Sequence, residues 1–454
     1  ITLTNPSTKS ASLIFQGFHL ANDESSGLIT LGTLGEAPTK GGLNINQGDL
    51  TITDSSSVTN VISLQGAGLN RLNPVGAELS AKNIYLSNLE AKGSLIFLQG
   101  SESFTENGET ISKSTQSSKL TVSNAQQHEA EILVENTIAN SAMNAHTGVS
   151  VNIDRIHLNQ NTFRDSGISI GIDENTKVGT SYLNNFEVWD SITIKNITVD
   201  GVGETGNFEA FALRKTNANF LEDDTFEGTT LTIDGIDVAA DRNRVSGVYF
   251  ANNTIKESWG TGDYPAIFMT VKGIDVAEGV EVNEIEGIHI EGNAPAEERT
   301  QVVVTGNVSD ITAENTDIVG IKLKDNYDSA ENTSRSGTHF IELTVNNIQN
   351  KDGTITAISV DQTNRHDEST ALWDVQVSNL TSNNDTIGLD INNATVSVGD
   401  INVTANYALK ANGSEIVLGE KQGTPDVNSQ HHEYLPTIIQ LNGRVQLSDT
   451  KLTF

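Results

Sequence analysis

An all-β solenoid is the fold class this sequence predicts, and three observations carry the expectation. Residues 231–238 read L-T-I-D-G-I-D-V. Apolar side chains alternate at Leu231 and Ile233, Gly235 breaks the phase, and alternation resumes at Ile236 and Val238. Alternation of period two marks a strand with one buried face. The odd residue would throw the second pair outward unless the backbone turned there, and Gly, then Asn, best tolerates the positive φ of such a turn.

The pattern then recurs. Residues 13–20, 192–199 and 269–276 repeat it with turns at Gly17, Asn196 and Gly273. Weaker copies place the turn at Gln47, Asn83, Asn124, Arg155, Asn307, Asn347, Asn379 and Asp400. The spacing is roughly 20–41 residues, a solenoid period. Finally, a small residue followed by apolar-x-apolar trails most turns: G-V-Y-F at 247–250, G-I-H-I at 287–290, G-I-K-L at 320–323, A-I-S-V at 357–360 and G-L-D-I at 388–391. Each repeat thus holds three short strands and no helical periodicity.

Three strands per turn with a corner made by one Gly or Asn resembles the pectate-lyase-like proteins. The resemblance covers almost the whole chain. It implies a single right-handed parallel β-helix of roughly 12–14 coils with side loops, one continuous domain over 1–454. It implies an architecture and no particular activity.

Composition agrees with a stacked aliphatic core: aromatics are 5%, Pro numbers 7 and Cys is absent. No apolar run is long enough to span a membrane as a helix. The ends, I-T-L-T-N-P and K-L-T-F, read as repeat-like, so the chain is expected to be cut from a longer precursor. A formal net charge of −32 argues against nucleic acid and anionic membrane as partners. It serves solubility, or else attracts cations, but no Gly-Gly-x-Gly-x-Asp calcium repeat is present.

Along the chain, the polar stretch 101–119 leaves the pattern as a loop or as a hairpin turning at Asn107-Gly108. Further excursions fall near 171–190, 251–268, 324–341 and 361–374, and a terminal loop covers about 419–434. They cluster on one edge, where specificity can be added without disturbing the core. Asn152, Thr193, Thr232, Thr270 and Thr344 form an outward polar column. Lys195, Asp234 and Lys272 alternate in sign, as do Glu291, Lys324 and Asp361, which pins strand register.

Catalysis finds little support. Tyr249, His289, Lys322, Ser359 and Asp390 read as an exposed column with a single carboxylate, whereas glycoside hydrolysis needs two. Asn315-Thr316-Asp317 lacks the companion motifs of a polygalacturonase. Gly167-Ile168-Ser169-Ile170-Gly171 matches G-x-S-x-G, but Ile168 and Ile170 are a repeat's apolar pair rather than the start of a nucleophile elbow. Asp237 and Asp275 occupy equivalent positions and could hold a cation, or coincide by chance; neither a metal nor a cofactor is expected. Of the sequons at Asn196, Asn252, Asn307 and Asn379, three read as strand corners, which generate N-x-S/T without any glycan.

A long, acidic, Cys-free β-helix resembles the passenger region of bacterial autotransporters of the adhesin and self-associating type. That resemblance implies a protein secreted to, or displayed on, the outside of the bacterial outer membrane, with a translocator barrel in its precursor. It implies cell aggregation, biofilm formation or host attachment, through self-association or through a host glycan or matrix protein. The alternatives are a polysaccharide lyase or hydrolase of the same fold and a phage tailspike-type glycan binder. Candidate binding residues are Trp259 and Tyr264, large rings in a polar loop, and Tyr249, His289 and Lys322 of the exposed column. Trp189 and Trp373 are expected just before strands, as packing residues.

Overall fold

The computed structural model of the chain describes residues 2–3, 12–20, 27–32, 42–65, 76–100, 104–106, 109–111, 118–124, 129–146, 148–171, 184–201, 206–220, 228–256, 266–295, 301–325, 337–363, 369–419 and 438–454. Among them there are strands and no helix. They belong to two compact units, Ile1–Gly201 with Glu209–Asn219, and Val202–Phe208 with Phe220–Phe454. Each is a parallel β-helix.

In the first unit, Gly42–Thr53, Glu78–Ser87, the coil of Ser118–Val122 and Glu131–Glu135, Val149–Asn159 and Asn184–Val199 stack in parallel register. Leu50, Ile84, Ile132, Ile156 and Ile192 form one column and Ile52, Leu86, Val134, Leu158 and Ile194 the next. All ten are essentially inaccessible to solvent. A second ladder stacks Ile62, Ile96, Met143, Ile168 and Phe211. A short third ladder runs through Ser56, Glu90, Ile138, Thr162 and Thr198. Phe104–Glu106 and Glu109–Ile111 pair antiparallel, so 101–119 holds the hairpin alternative.

Corners are made as expected, but several sit elsewhere. Gly17, Asn196, Gly235, Gly273, Asn347 and Asn379 all have positive φ. In the weaker repeats the positive-φ residues are Asp54, Asn88, Asn136, Gln160 and Asp310, not Gln47, Asn83, Asn124, Arg155 and Asn307. The reason is that phase breaks are of two kinds. Register shifts lie between Ile45 and Asp49 and between Ile153 and Arg155, so the breaks near Gln47 and Arg155 are β-bulges within strands, whereas Asn307 sits in unbroken register between Thr270 and Thr344 and its coil turns three residues later, at Asp310. Buried polar side chains fill two such irregularities. Asp154 Oδ2 accepts from Asn124 N at 2.7 Å and Ala130 N at 3.2 Å; Asn83 Oδ1 accepts from Glu131 N at 3.0 Å. Asp400 likewise lies inside a strand, Thr395–Asn412, and accepts from Ile438 N at 2.8 Å. Among the sequons, Asn196, Asn252 and Asn379 are corners, whereas Asn307 is an exposed mid-strand residue.

In the second unit, Leu231, Met269, Gly306, Leu343, Val375 and Ile401 share a column, as do Ile233, Val271, Val308, Val345, Val377 and Val403. The other long ladder stacks Val248, Ile288, Ile321, Ile358 and Leu389. The small residue before this ladder's apolar pair has a packing cause. A Cβ at Gly287 would meet Gly320 O at 2.5 Å and Val308 Cγ1 at 2.6 Å, so a glycine lets the two ladders close on each other. Buried amides tie neighbouring coils at the next bend: Asn293 Oδ1 accepts from Asn253 N at 2.9 Å and Asn253 Nδ2 at 3.0 Å, while Asn293 Nδ2 donates to Phe250 O at 2.8 Å. Trp189 and Trp373 lie inside Asn184–Val199 and Ser369–Ser382 rather than before strands.

Candidate functional site

Tyr249, His289 and Lys322 are register partners on three successive strands of the second unit, Arg242–Ala251, Val282–Glu291 and Asp317–Lys324. The structure therefore brings together three of the five candidate binding residues. Trp259 and Tyr264 lie outside the described residues. The expectation that this column is exposed is corrected, however. Tyr249 is 1% and His289 3% accessible, so neither ring offers a face to a ligand.

What hides them is a charged cluster. The Tyr249 and His289 rings lie with centroids 4.7 Å apart, and the Arg244 guanidinium caps Tyr249 at 4.5 Å. His289 Nδ1 meets Glu286 Oε2 at 2.9 Å, and its Nε2 meets Glu291 Oε2 at 3.1 Å. Lys322 Nζ bridges Glu286 Oε1 at 2.7 Å and Glu284 Oε1 at 3.1 Å; Lys324 Nζ holds Glu291 Oε1 at 2.6 Å. Ser246 Oγ donates to Glu286 Oε2 at 3.1 Å, and Arg244 Nε stands 3.5 Å from the same oxygen.

These contacts decide the charge states. Burial opposes ionisation of Glu286, but the His289 hydrogen bond and the charges of His289, Lys322 and Arg244 outweigh it and hold the carboxyl far below its usual range. Burial also works against a charged His289, yet its bonds to Glu286 and Glu291 prevail and raise its pKa. The His289 bond, with help from Lys324, brings Glu291 down to about 2. With a carboxylate on each ring nitrogen, both nitrogens must donate, so His289 is an imidazolium. A ring so held has no free lone pair to take a proton. The cluster is built to store paired charge within the wall of the helix, and its chemistry is structural.

Sequence pattern singles out neither Arg244 nor Glu284 nor Glu286, and it places Glu291 only in the alternating-charge column with Lys324. The carboxylates are signalled by E-x-E-x-x-H-x-E over 284–291. Gly287 and Ile288 are both buried, so two consecutive residues face inward and Glu286 and His289 remain together on the outer side.

The remaining candidates are also placed. Ser169 sits in the middle of Ser166–Gly171, flanked by buried Ile168 and Ile170, and does not stand at a strand end as a nucleophile elbow requires. Asp237 and Asp275 are exposed register partners. Among the described residues no group of three His, Asp or Glu side chains is arranged to hold a metal ion.

An open polar groove lies on the second unit, lined by Asn207, Asp241, Arg242, Asn243, Glu281 and Asn283. Its rim is an exposed amide ladder. Asn283 Nδ2 donates to Asn243 Oδ1 at 3.0 Å, and Asn243 Nδ2 donates to Asn207 Oδ1 at 3.2 Å. An amide has two N–H donors and two acceptor lone pairs. Each link of the ladder uses one of each, so Asn243 still presents one of each sideways to solvent. Comparison with known proteins brought no match: no family model fits the chain, and no curated protein or solved structure is significantly similar to it.

Proposed function

We propose that this chain is a surface-displayed bacterial adhesin of the autotransporter-passenger type, and that it holds cells together by self-association along its polar side. The exposed Asn207–Asn243–Asn283 ladder carries this reading. A parallel β-helix sets such amides about 4.8 Å apart along its axis. A second copy laid alongside meets a regular row of donors and acceptors. One such hydrogen bond contributes only about 1 kcal/mol net, but a row formed at once, between many copies on facing cells, gains through multivalency. The amides are neutral, which matters for two chains that each carry a net charge of −32.

Displaying the chain on a non-aggregating bacterium and following settling of the suspension tests the proposal. Settling should require the chain on both partners, and Asn243→Lys should slow it at unchanged surface display. A displayed, folded chain that produces no settling would overturn self-association.

A further inference from the structure

The last described coils of the second unit depart from the pattern. To pass from the column of Val345 and Val377 to that of Ile358 and Leu389, the chain uses residues 346–357 in one coil and 378–388 in the next. In the following coil it goes from Val403 to Leu409 through 404–408 alone, within the single strand Thr395–Asn412. The register is irregular on both sides of Tyr407. The third side of the coil is missing there. Gln349 pairs with Thr381 and Asn350 with Ser382, and among the described residues no strand continues that ladder past Ser382.

The shortcut leaves a notch of about 560 Å3, within the roughly 300–1,000 Å3 range of small-ligand sites. Exposed Asn383, Asn384, Asp385, Asn406 and Arg444 and half-buried Tyr407 line it. Asn406 is fixed in place: its Oδ1 accepts from Thr386 N at 3.1 Å and Thr386 Oγ1 at 2.9 Å, and its own N–H donates to Thr386 Oγ1 at 2.9 Å. Tyr407 is half-buried, with Lys410 Nζ 5.2 Å and the Arg444 guanidinium 5.6 Å from its ring centroid. Among the described residues neither Arg444 nor Asp385 has a side-chain hydrogen bond or ion pair, although both line the notch.

We propose that this notch is a binding site for a neutral oligosaccharide. Amide, carboxylate and guanidinium groups are planar forks, each able to hold two adjacent hydroxyls of a sugar ring. The notch gathers all three kinds around one aromatic ring, which supplies the apolar surface that the C–H face of a pyranose needs. Charge favours a neutral sugar over an acidic one. Arg444 and Asp385 balance, and the chain's net −32 repels a polyanion. The site rests on the adhesin reading only for why a surface chain would carry it.

The purified chain titrated with neutral hexose and N-acetylhexosamine oligosaccharides, with uronate oligosaccharides beside them, tests the assignment by calorimetry. Saturable binding of a neutral oligosaccharide is expected. Tyr407→Ala should weaken it by about tenfold or more, and Asp385→Asn and Arg444→Gln should each weaken it several-fold. Asp385 and Arg444 are exposed, so those two variants keep the test open should Tyr407→Ala fail to fold. Absence of neutral-sugar binding, binding of uronates only, or binding that all three folded variants leave unchanged would overturn it. Settling measured on the same variants separates the two readings. Sugar binding without settling would remove self-association alone, and settling without sugar binding would remove this site alone.

Discussion

Glu286 and His289 stand three residues apart on one strand, and their side chains meet at 2.9 Å on its outer face. Around them Lys322, Arg244, Ser246 and Glu291 complete a row of paired charge running across three coils. Tyr249, His289 and Glu286, though they point outward, are thereby buried as deeply as the core, while Lys322, Lys324 and Glu284 at the edge of the row stay partly accessible.

Removing the shared acceptor should be the most damaging single change in this row. Glu286→Ala strands His289, Lys322 and Arg244 without their common carboxylate, and breaking a buried pair from one side costs about 3–5 kcal/mol. The urea midpoint of the β-sheet circular dichroism signal should fall accordingly, with Glu286→Gln intermediate. A midpoint within error of the parent would mean that the cluster adds nothing to stability.

The pH dependence follows from the shifts. His289 is raised above its ordinary 6.5, so its contribution is complete below that value and is lost as pH climbs through the folded-state pKa. Glu286 and Glu291 are depressed from 4.5, so theirs is complete above that value and is lost as pH falls toward about 2, where Glu291 titrates. The cluster therefore stabilises most between about pH 4.5 and 6.5. Denaturation midpoints across pH 3–9 should show an alkaline decline that His289→Gln removes; an identical decline in the variant would assign it to other groups.

Close approach of the ladders should make the small-residue column intolerant. Gly287→Val would drive its side chain into Gly320 O and the Val308 methyls. Overpacking of this kind costs about 1–3 kcal/mol or more. Ala357, which stands in the same column on a later coil, should tolerate Ala357→Gly with a loss of only about 0.5–1 kcal/mol. Thermal unfolding of the pair distinguishes the two effects.

Corner chemistry predicts a sign that depends on backbone alone. Asn347 has φ +54° and its amide donates to Asp310. Asn347→Ala should lose roughly 1–2 kcal/mol from the strained left-handed backbone, whereas Asn347→Gly should lose only the hydrogen bond. Equal losses in the two variants would show that the side-chain bond, rather than φ, governs the corner.

Salt should promote cell settling. Two chains of net −32 repel across the gap between cells. Raising ionic strength from about 0.01 M to 0.15 M shortens the screening length from about 30 Å to about 8 Å while leaving neutral amide pairing intact. Settling that slows with added salt would point instead to charged groups as the adhesive contact.

Much of the coil was legible in sequence. The alternation at Leu231, Ile233, Ile236 and Val238 is burial of one face every second residue, and all four are buried. Gly235, Gly273, Asn196, Asn347 and Asn379 turn where the sequence predicts, because Gly and Asn accept positive φ more readily than other residues. The small residue before each apolar pair was visible too, although its cause, the valines of the facing ladder, was not.

Tertiary structure alone decided the rest. A bulge and a corner break the apolar phase alike, so Arg155 and Gln160 can be told apart only by which strands pair around them. Tyr249 and His289 read as exposed because alternation places them outside, yet they are covered by residues of other coils and by neighbours kept on the same side because Gly287 and Ile288 both face inward. Burial by a cross-strand partner depends on register, and register is set between coils rather than along the chain. The notch at Tyr407 is the same case at larger scale: a coil that cuts its corner exposes the rim of the coil before it, and no single stretch of sequence records that the two are neighbours.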